Sequence, residues 1–327
     1  MKNFPILLVL VSAGALAGGI PATASTANAR VGTLESLDGT VTINGTTVQK
    51  QGQLPVLGRN DALQTGDGHA EVILTPGVFL RLGKNTEARL LNDSITDTQV
   101  GLDRGSAILE VDELHQGNHM QVNMDGASAV VLKTGLYRFD SAPSTIEVIK
   151  GKAEIQDEDS HVTAKGHKQV ALGAQLVETK VKQEANDDLA QWSRLRAQYE
   201  SEASVASAQY IFDMGWGWGY SNWFWNPWFG MWTWLPGGPY FMNPYGLYFW
   251  NPGLVYRYYP YRTYGVYGRS YPHSAFLANP GGVRPYTPGR NVVAPARLTP
   301  APTAHNGFGS VRSFGGFSGA RSFGGRR

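Results

Sequence analysis

Ala70-Glu71-Val72-Ile73-Leu74, Thr75-Pro76-Gly77 and Val78-Phe79-Leu80-Arg81-Leu82 spell a β-hairpin. Ala70, Val72 and Leu74 share one face of an extended chain, as do Val78, Leu80 and Leu82, and the Pro-Gly pair turns the chain between them. The same grammar extends both ways. Thr40-Val41-Thr42-Ile43 runs into Asn44-Gly45, a strong tight-turn pair, and then into Thr46 to Lys50, predicting a second hairpin. Ile146 and Val148 alternate before Lys150-Gly151-Lys152, and Ala153 to Gln156 answers them across that turn. From Val31 to Val177 about a dozen such runs recur, and none has helical periodicity, so the expectation is an all-β domain over 30–180, a sandwich, barrel or stacked-strand architecture.

After the β text the pattern changes. Asn186-Asp187-Asp188 can cap a helix on which Leu189, Trp192, Leu195 and Tyr199 recur at intervals of three and four, with Arg196 and Glu200 paired on its outer side. That predicts a connector helix over 184–207 whose apolar stripe docks on the β domain or begins the tail. Beyond it the chain is a different polymer. All 26 acidic residues lie at or before Asp213, whereas the segment from Met214 to Arg327 holds ten arginines and no lysine. The first part therefore sets 18 of the 28 Lys and Arg against 26 acids, a net −8, and the second carries +10.

The N-terminus reads as a secretory signal over residues 1–29. Lys2 precedes an apolar or small-residue run from Ile6 to Ala17, and Ala22-Thr23-Ala24 and Ala27-Asn28-Ala29 offer small-x-small cleavage sites, so cleavage is expected near Ala24 or Ala29. Pro5 and the glycines at 14, 18 and 19 make the same run a poor membrane span, although retention as an anchor stays open as the alternative. There is no cysteine, which removes disulfides, thiol catalysis, Cys-based zinc sites and a lipid-anchored Cys. The expected address is periplasmic, cell-surface or extracellular.

Through Leu63-Gln64-Thr65-Gly66-Asp67, the strand Ala70 to Leu74, the Pro76-Gly77 turn, and Val78 to Leu82 leading to Asn85-Thr86 and Leu90, the β region resembles the FecR domain family over about 140 residues. The match continues through Leu102-x-x-Gly105-x-Ala107, Thr134-Gly135-Leu136-Tyr137-Arg138-Phe139, Thr145 to Val148, Gly151-Lys152-Ala153 and Lys165-Gly166-His167. Asp187-Asp188-Leu189-x-x-Trp192-x-x-x-Arg196 is similar to the helix that often follows this domain in exported relatives. The resemblance implies a FecR-like all-β fold outside the cytoplasm. Family namesakes carry a cytoplasmic sigma-factor-binding portion before a membrane helix, and here only Met1 to Phe4 precede the apolar run, so the anti-sigma role does not carry over.

Catalytic constellations are not read from the chain. His115-Gln116-Gly117-Asn118-His119 puts its two imidazoles in a loop without a third ligand nearby, and Asp157-Glu158-Asp159 reads as an exposed acidic turn. Gly66-Asp67-Gly68 lacks the strand-to-helix setting of a phosphate loop, and no serine sits in a Gly-x-Ser-x-Gly elbow. We therefore expect no catalytic residue, no metal ligand and no cofactor.

Residues 210–272 alternate aromatics with turn formers, and Asn-Pro recurs at 226–227, 243–244, 251–252 and 279–280. Such spacing forbids a membrane helix and resists a long strand. The candidate binding residues are Trp216, Trp218, Trp223, Trp225, Trp228, Trp232, Trp234 and Trp250, with Arg257, Arg262 and Arg269. Flat rings stack on sugar faces, settle at membrane interfaces, or glue the segment to itself or a partner, and arginines steer towards anionic material. Residues 273–327, with Arg-Ser-Phe-Gly-Gly at 312–316 and 321–325, read as a disordered tail. The expected partner is a cell-envelope component, a polysaccharide or a protein, with peripheral membrane contact and, given export, no nucleic acid. The reading is a non-enzymatic extracytoplasmic binding or scaffolding protein. An envelope signalling regulator with a retained anchor is the alternative, and a hydrolase stands third.

Overall fold

The computed structural model describes residues 29–49 and 54–258. Nearly all of the expected signal peptide, the stretch 259–272 with Arg262 and Arg269, and the tail 273–327 lie outside the described residues. Among the described residues fifteen strands come first: β1 (Thr33–Asp38), β2 (Val41–Ile43), β3 (Thr46–Thr47), β4 (Ala62–Thr65), β5 (His69–Ile73), β6 (Val78–Leu82), β7 (Glu87–Ser94), β8 (Asp97–Arg104), β9 (Ser106–Val111), β10 (His119–Met124), β11 (Ala127–Ser141), β12 (Ser144–Gln156), β13 (His161–Lys165), β14 (Lys168–Ala171) and β15 (Val177–Lys180). Helix α1 (Asp188–Asp213) follows. Two hairpins, β16 (Asn222–Asn226) with β17 (Met231–Leu235) and β18 (Tyr240–Met242) with β19 (Tyr248–Trp250), and the short α2 (Val255–Tyr258) complete the order.

The fifteen strands form one sheet, ordered β1-β5-β6-β9-β11-β10-β8-β7-β4-β2-β3, with β12 to β15 joined through the other edge of β11. It curls on itself. Val72, Leu80 and Leu109 from one limb meet Leu90, Val100 and Val122 from the other in a single apolar core, which is why one face of each strand alternates so regularly. Both expected hairpins form. Asn44 and Gly45 have φ of 50° and 78°, as a tight turn of the primed type requires, and β5 pairs β6 with Val72 opposite Leu80.

Lys150-Gly151-Lys152 differs from expectation. Instead of turning, it bends one long strand, β12, which stays paired with β11 on both sides of the bend. Gly135 and Gly151 let the two backbones touch there: a Cβ on Gly135 would stand 2.1 Å from the Lys150 carbonyl oxygen. The Tyr137 hydroxyl fills the gap, donating to the Lys133 carbonyl and accepting from the Lys152 N–H at 3.1 Å. The register shifts between the two strands here let β11 serve both limbs of the curled sheet.

The aromatic segment is folded as well. Over 222–250 it builds two hairpins that pack on the sheet and on α1, and its Asn-Pro pairs act as turn devices within that structure. The Asn226 side-chain oxygen accepts from the N–H groups of Trp228 and Phe229, Asn243 from Tyr245 and Leu247, and Asn251 from Gly253. Each amide nitrogen points the other way and tethers the segment: Asn226 donates to Ser207, Asn243 to Glu110, and Asn251 to the Pro236 carbonyl.

Candidate functional site

Helix α1 starts where Asp187 accepts from the Ala190 N–H at 3.0 Å, and the Arg138 guanidinium clamps that same carboxylate from β11 while also holding Asp140. Burial pushes the Asp187 carboxyl up, but the hydrogen bonds from Arg138, ahead of the one from the helix N–H, outweigh it and keep the group below its usual range. Leu189 and Trp192 dock on Ile108, Leu136 and Ile149. Trp192 also stacks on the buried His69 ring, with centroids 4.8 Å apart.

Beyond Trp192 the buried face of the helix is not the one expected. Leu195 and Tyr199 are only half-buried, and the inward face continues through Ser193, Ala197, Glu200, Ala203, Ser204, Ser207, Ala208 and Ile211. Arg196 and Glu200, expected on the outer side, are turned inward, and their pairing at 3.1 Å is made there. The physical reason is that the sheet face under the helix is itself charged, so it selects small and polar residues over Leu195 and Tyr199.

That face gathers charge from several elements. Arg81 on β6 donates to Glu71 on β5 at 2.5 Å, and to Glu110 on β9 and Ser193 on α1. Arg196 adds two hydrogen bonds to Glu71, at 2.7 and 2.9 Å. Glu110 also accepts from Asn243 at 2.7 Å, and Ser193 meets the Tyr245 hydroxyl at 2.7 Å, so the loop between β18 and β19 closes the site. Glu35 on β1 accepts the Trp232 backbone N–H at 2.8 Å. Asp112 and Glu200 are fully buried, and both oxygens of Asp112 and Oε2 of Glu200 meet no donor. Burial pushes up the pKa of Glu71, but Arg196 and Arg81 outweigh it and the group stays below the usual range. Burial wins at Glu35, Asp112 and Glu200, all held well above it, and raises Glu110 less.

The predicted binding tryptophans divide into two sets. Trp223, Trp232 and Trp234 lie inside, with Phe249, against Ile73 and Phe79 of the sheet. Period-two strands turn these three rings inward, so they glue the segment to the sheet. Trp225 packs edge-on against Trp232, and Trp228 against Tyr210 on α1. Trp216 is exposed and lies beside Tyr210, Trp218 stacks with Tyr220, and Arg257 is exposed. Trp250 belongs to a surface that composition did not reveal. On the β18–β19 hairpin Phe241 and Phe249 face inward, while Tyr240, Met242 and Tyr248 stand outward at 51%, 53% and 44% exposure. The rings of Tyr240, Tyr248 and Trp250 sit 5.7–5.9 Å from one another. Alternation within Tyr240-Phe241-Met242 and Tyr248-Phe249-Trp250 was the available signal.

The remaining sequence candidates are simpler. His119 pairs with Asp97 at 2.7 Å and His115 with Glu113 at 3.4 Å, on either side of a glycine turn. Asp157 closes its own turn by accepting from the N–H groups of Asp159 and Ser160. Among the described residues no helix is long and apolar enough to cross a membrane.

These features define a curled β-sheet domain with a helical and aromatic cap on its outer face. Within its sheet, residues 61–154 match the family model described as FecR protein. Two crystal structures of a "putative anti-sigma factor" from Parabacteroides distasonis ATCC 8503 are similar, at 17% and 16% identity, both with a TM-score of 0.34. The matches cover 41% of this chain and 62% and 63% of those chains, less than two thirds of their length. No curated protein matches the sequence.

Proposed function

We propose that the chain is a non-enzymatic extracytoplasmic binding protein whose aromatic cap, seated on the FecR-like sheet, presents the outer face of the β18–β19 hairpin to a polysaccharide of the envelope or surroundings. The observation that carries this reading is the trio Tyr240, Tyr248 and Trp250, three mutually packed rings on the outward side of a hairpin whose inward side is locked by Phe241 and Phe249. Rings fixed in this way offer flat apolar faces at small entropic cost, and the phenol groups add hydrogen-bonding tips, which suits the alternating apolar faces and hydroxyls of a sugar chain. The leader-like N-terminus supports the export in this reading, and the arginines beyond Met214 favour an anionic polymer. The test is retention of the full chain on envelope polysaccharide. Replacing Tyr240 and Tyr248 by Ala should lower retention at least about tenfold, as one to two lost ring contacts imply, with circular dichroism unchanged. Equal retention refutes the platform.

The FecR match favours a second reading, an envelope signalling regulator that keeps its N-terminal segment as an anchor. Fractionation with N-terminal sequencing separates the two: Met1 intact in a membrane fraction selects the regulator, and a chain starting near Ser25 or Arg30 the exported binder.

A further inference from the structure

The layer between the sheet and its cap contains more acid than base. Facing it are Glu35 from β1, Glu71 from β5, Arg81 from β6, Glu110 and the adjoining Asp112 from the end of β9, Arg196 and Glu200 from α1, and Tyr245 from the hairpin loop, with Arg194 over the Tyr245 ring at 5.4 Å. Arg194 is exposed, so the layer sets five carboxyls, four of them buried and Glu35 half-buried, against two guanidinium groups. Glu71 and Glu110, both bonded to Arg81, account for the two positive charges, since Arg196 also binds Glu71. Three carboxyls exceed the positive charge: Glu35, Asp112 and Glu200, the last sharing Arg196 with Glu71 through one of its oxygens. Both oxygens of Asp112 and one of Glu200 are buried without a donor, which an ionised carboxylate tolerates poorly and a protonated one does not require.

We propose that this layer is a proton-operated latch: α1 and the two aromatic hairpins stay seated while the surplus carboxyls are protonated, and a rise in pH, by adding uncompensated negative charge beneath them, loosens the cap. Burial already holds these three groups well above the usual carboxylate range, which places their ionisation on the alkaline side of an ordinary acid. The cap is the part that yields, because Asn243, Tyr245 and the Trp232 N–H reach the layer from loops and a two-stranded hairpin, whereas Glu71, Arg81 and Glu110 sit on adjacent strands of the continuous sheet. Loosening would uncover Ile73 and Phe79 on the sheet's outer face.

Amide hydrogen exchange on the full chain tests the latch. After correction for intrinsic rates, protection across 222–250 should fall at least about tenfold relative to 119–131 between about pH 6 and pH 9, since one proton linked to opening gives up to tenfold per pH unit. Replacing Asp112 by Asn and Glu200 by Gln removes two ionisations without changing shape, and that variant should lose most of the pH dependence. Glu178→Gln, at an exposed pair with Lys168, should keep it. Should the double variant fail to fold, the wild-type profile with single Glu200→Gln decides. Constant relative protection in the wild type, or a variant that follows the wild-type profile, overturns the proposal.

Discussion

Replacing Trp234 by Ala separates an aromatic segment that holds the protein together from one that only adheres to something else. Trp234 is 1% exposed, its ring lies 5.3 Å from Phe241 and 5.1 Å from Phe249, and its indole N–H donates to Ser221 at 2.7 Å. It also covers Gly77, where even an added Cβ would stand 2.9 Å from the ring. Cutting so enclosed a ring back to Ala costs about 3–5 kcal/mol, which includes the lost ring pairings. Taking about 4 kcal/mol and a guanidinium slope of about 4 kcal/mol per M, the unfolding midpoint should fall by about 1 M. Far-UV circular dichroism is the readout, because fluorescence changes with the tryptophan count. Tyr240→Ala, at an exposed position, should move stability by no more than about 0.5 kcal/mol. A Trp234→Ala midpoint within about 0.2 M of wild type would show that the hairpins do not contribute to the fold and would return the tryptophans to the surface.

Arg81→Met leaves Glu71 and Glu110 buried without their shared partner and should cost about 3–5 kcal/mol, whereas adding Glu71→Gln and Glu110→Gln should recover much of the loss; guanidinium unfolding of both variants checks this. Asp187→Ala removes the cap of α1 and one partner of Arg138, and thermal unfolding should register about 1–2 kcal/mol. Because the Asp187 carboxyl is held below its ordinary value, its contribution is present above the ordinary aspartate pKa and disappears as pH falls through the lowered one, so the gap between variant and wild type should close in acid.

Local chemistry carried the β domain. The turn at Asn44-Gly45 needs two residues at positive φ, and the hairpin 70–82 needs only alternation and a Pro-Gly turn, so both are legible in a few adjacent residues. Asp187 announced its helix for the same reason, since a cap acts within one turn. The bend of β12 at Gly151 was not legible, because a glycine flanked by lysines looks alike whether it turns a chain or allows two backbones to touch, and the contact with Gly135 lies on another strand.

What the sequence determined by itself is therefore the period-two core, the turns, the break in composition at Asp213 and the resemblance to FecR domains. Tertiary structure alone decided that Glu71, Arg81 and Glu110 are interior, since a charge at every second position of a strand reads as solvent-facing until a distant segment covers it. Ile73 and Phe79, apolar on that same face, were the one hint of a cover. It decided equally which tryptophans are core and which are surface. Composition counts rings, but only the pairing of β16 with β17 and their docking on the sheet turns Trp223, Trp232 and Trp234 inward, while β18 and β19 leave Tyr240 and Tyr248 facing out. Burial is a property of what a residue meets, and these residues meet partners more than a hundred positions away.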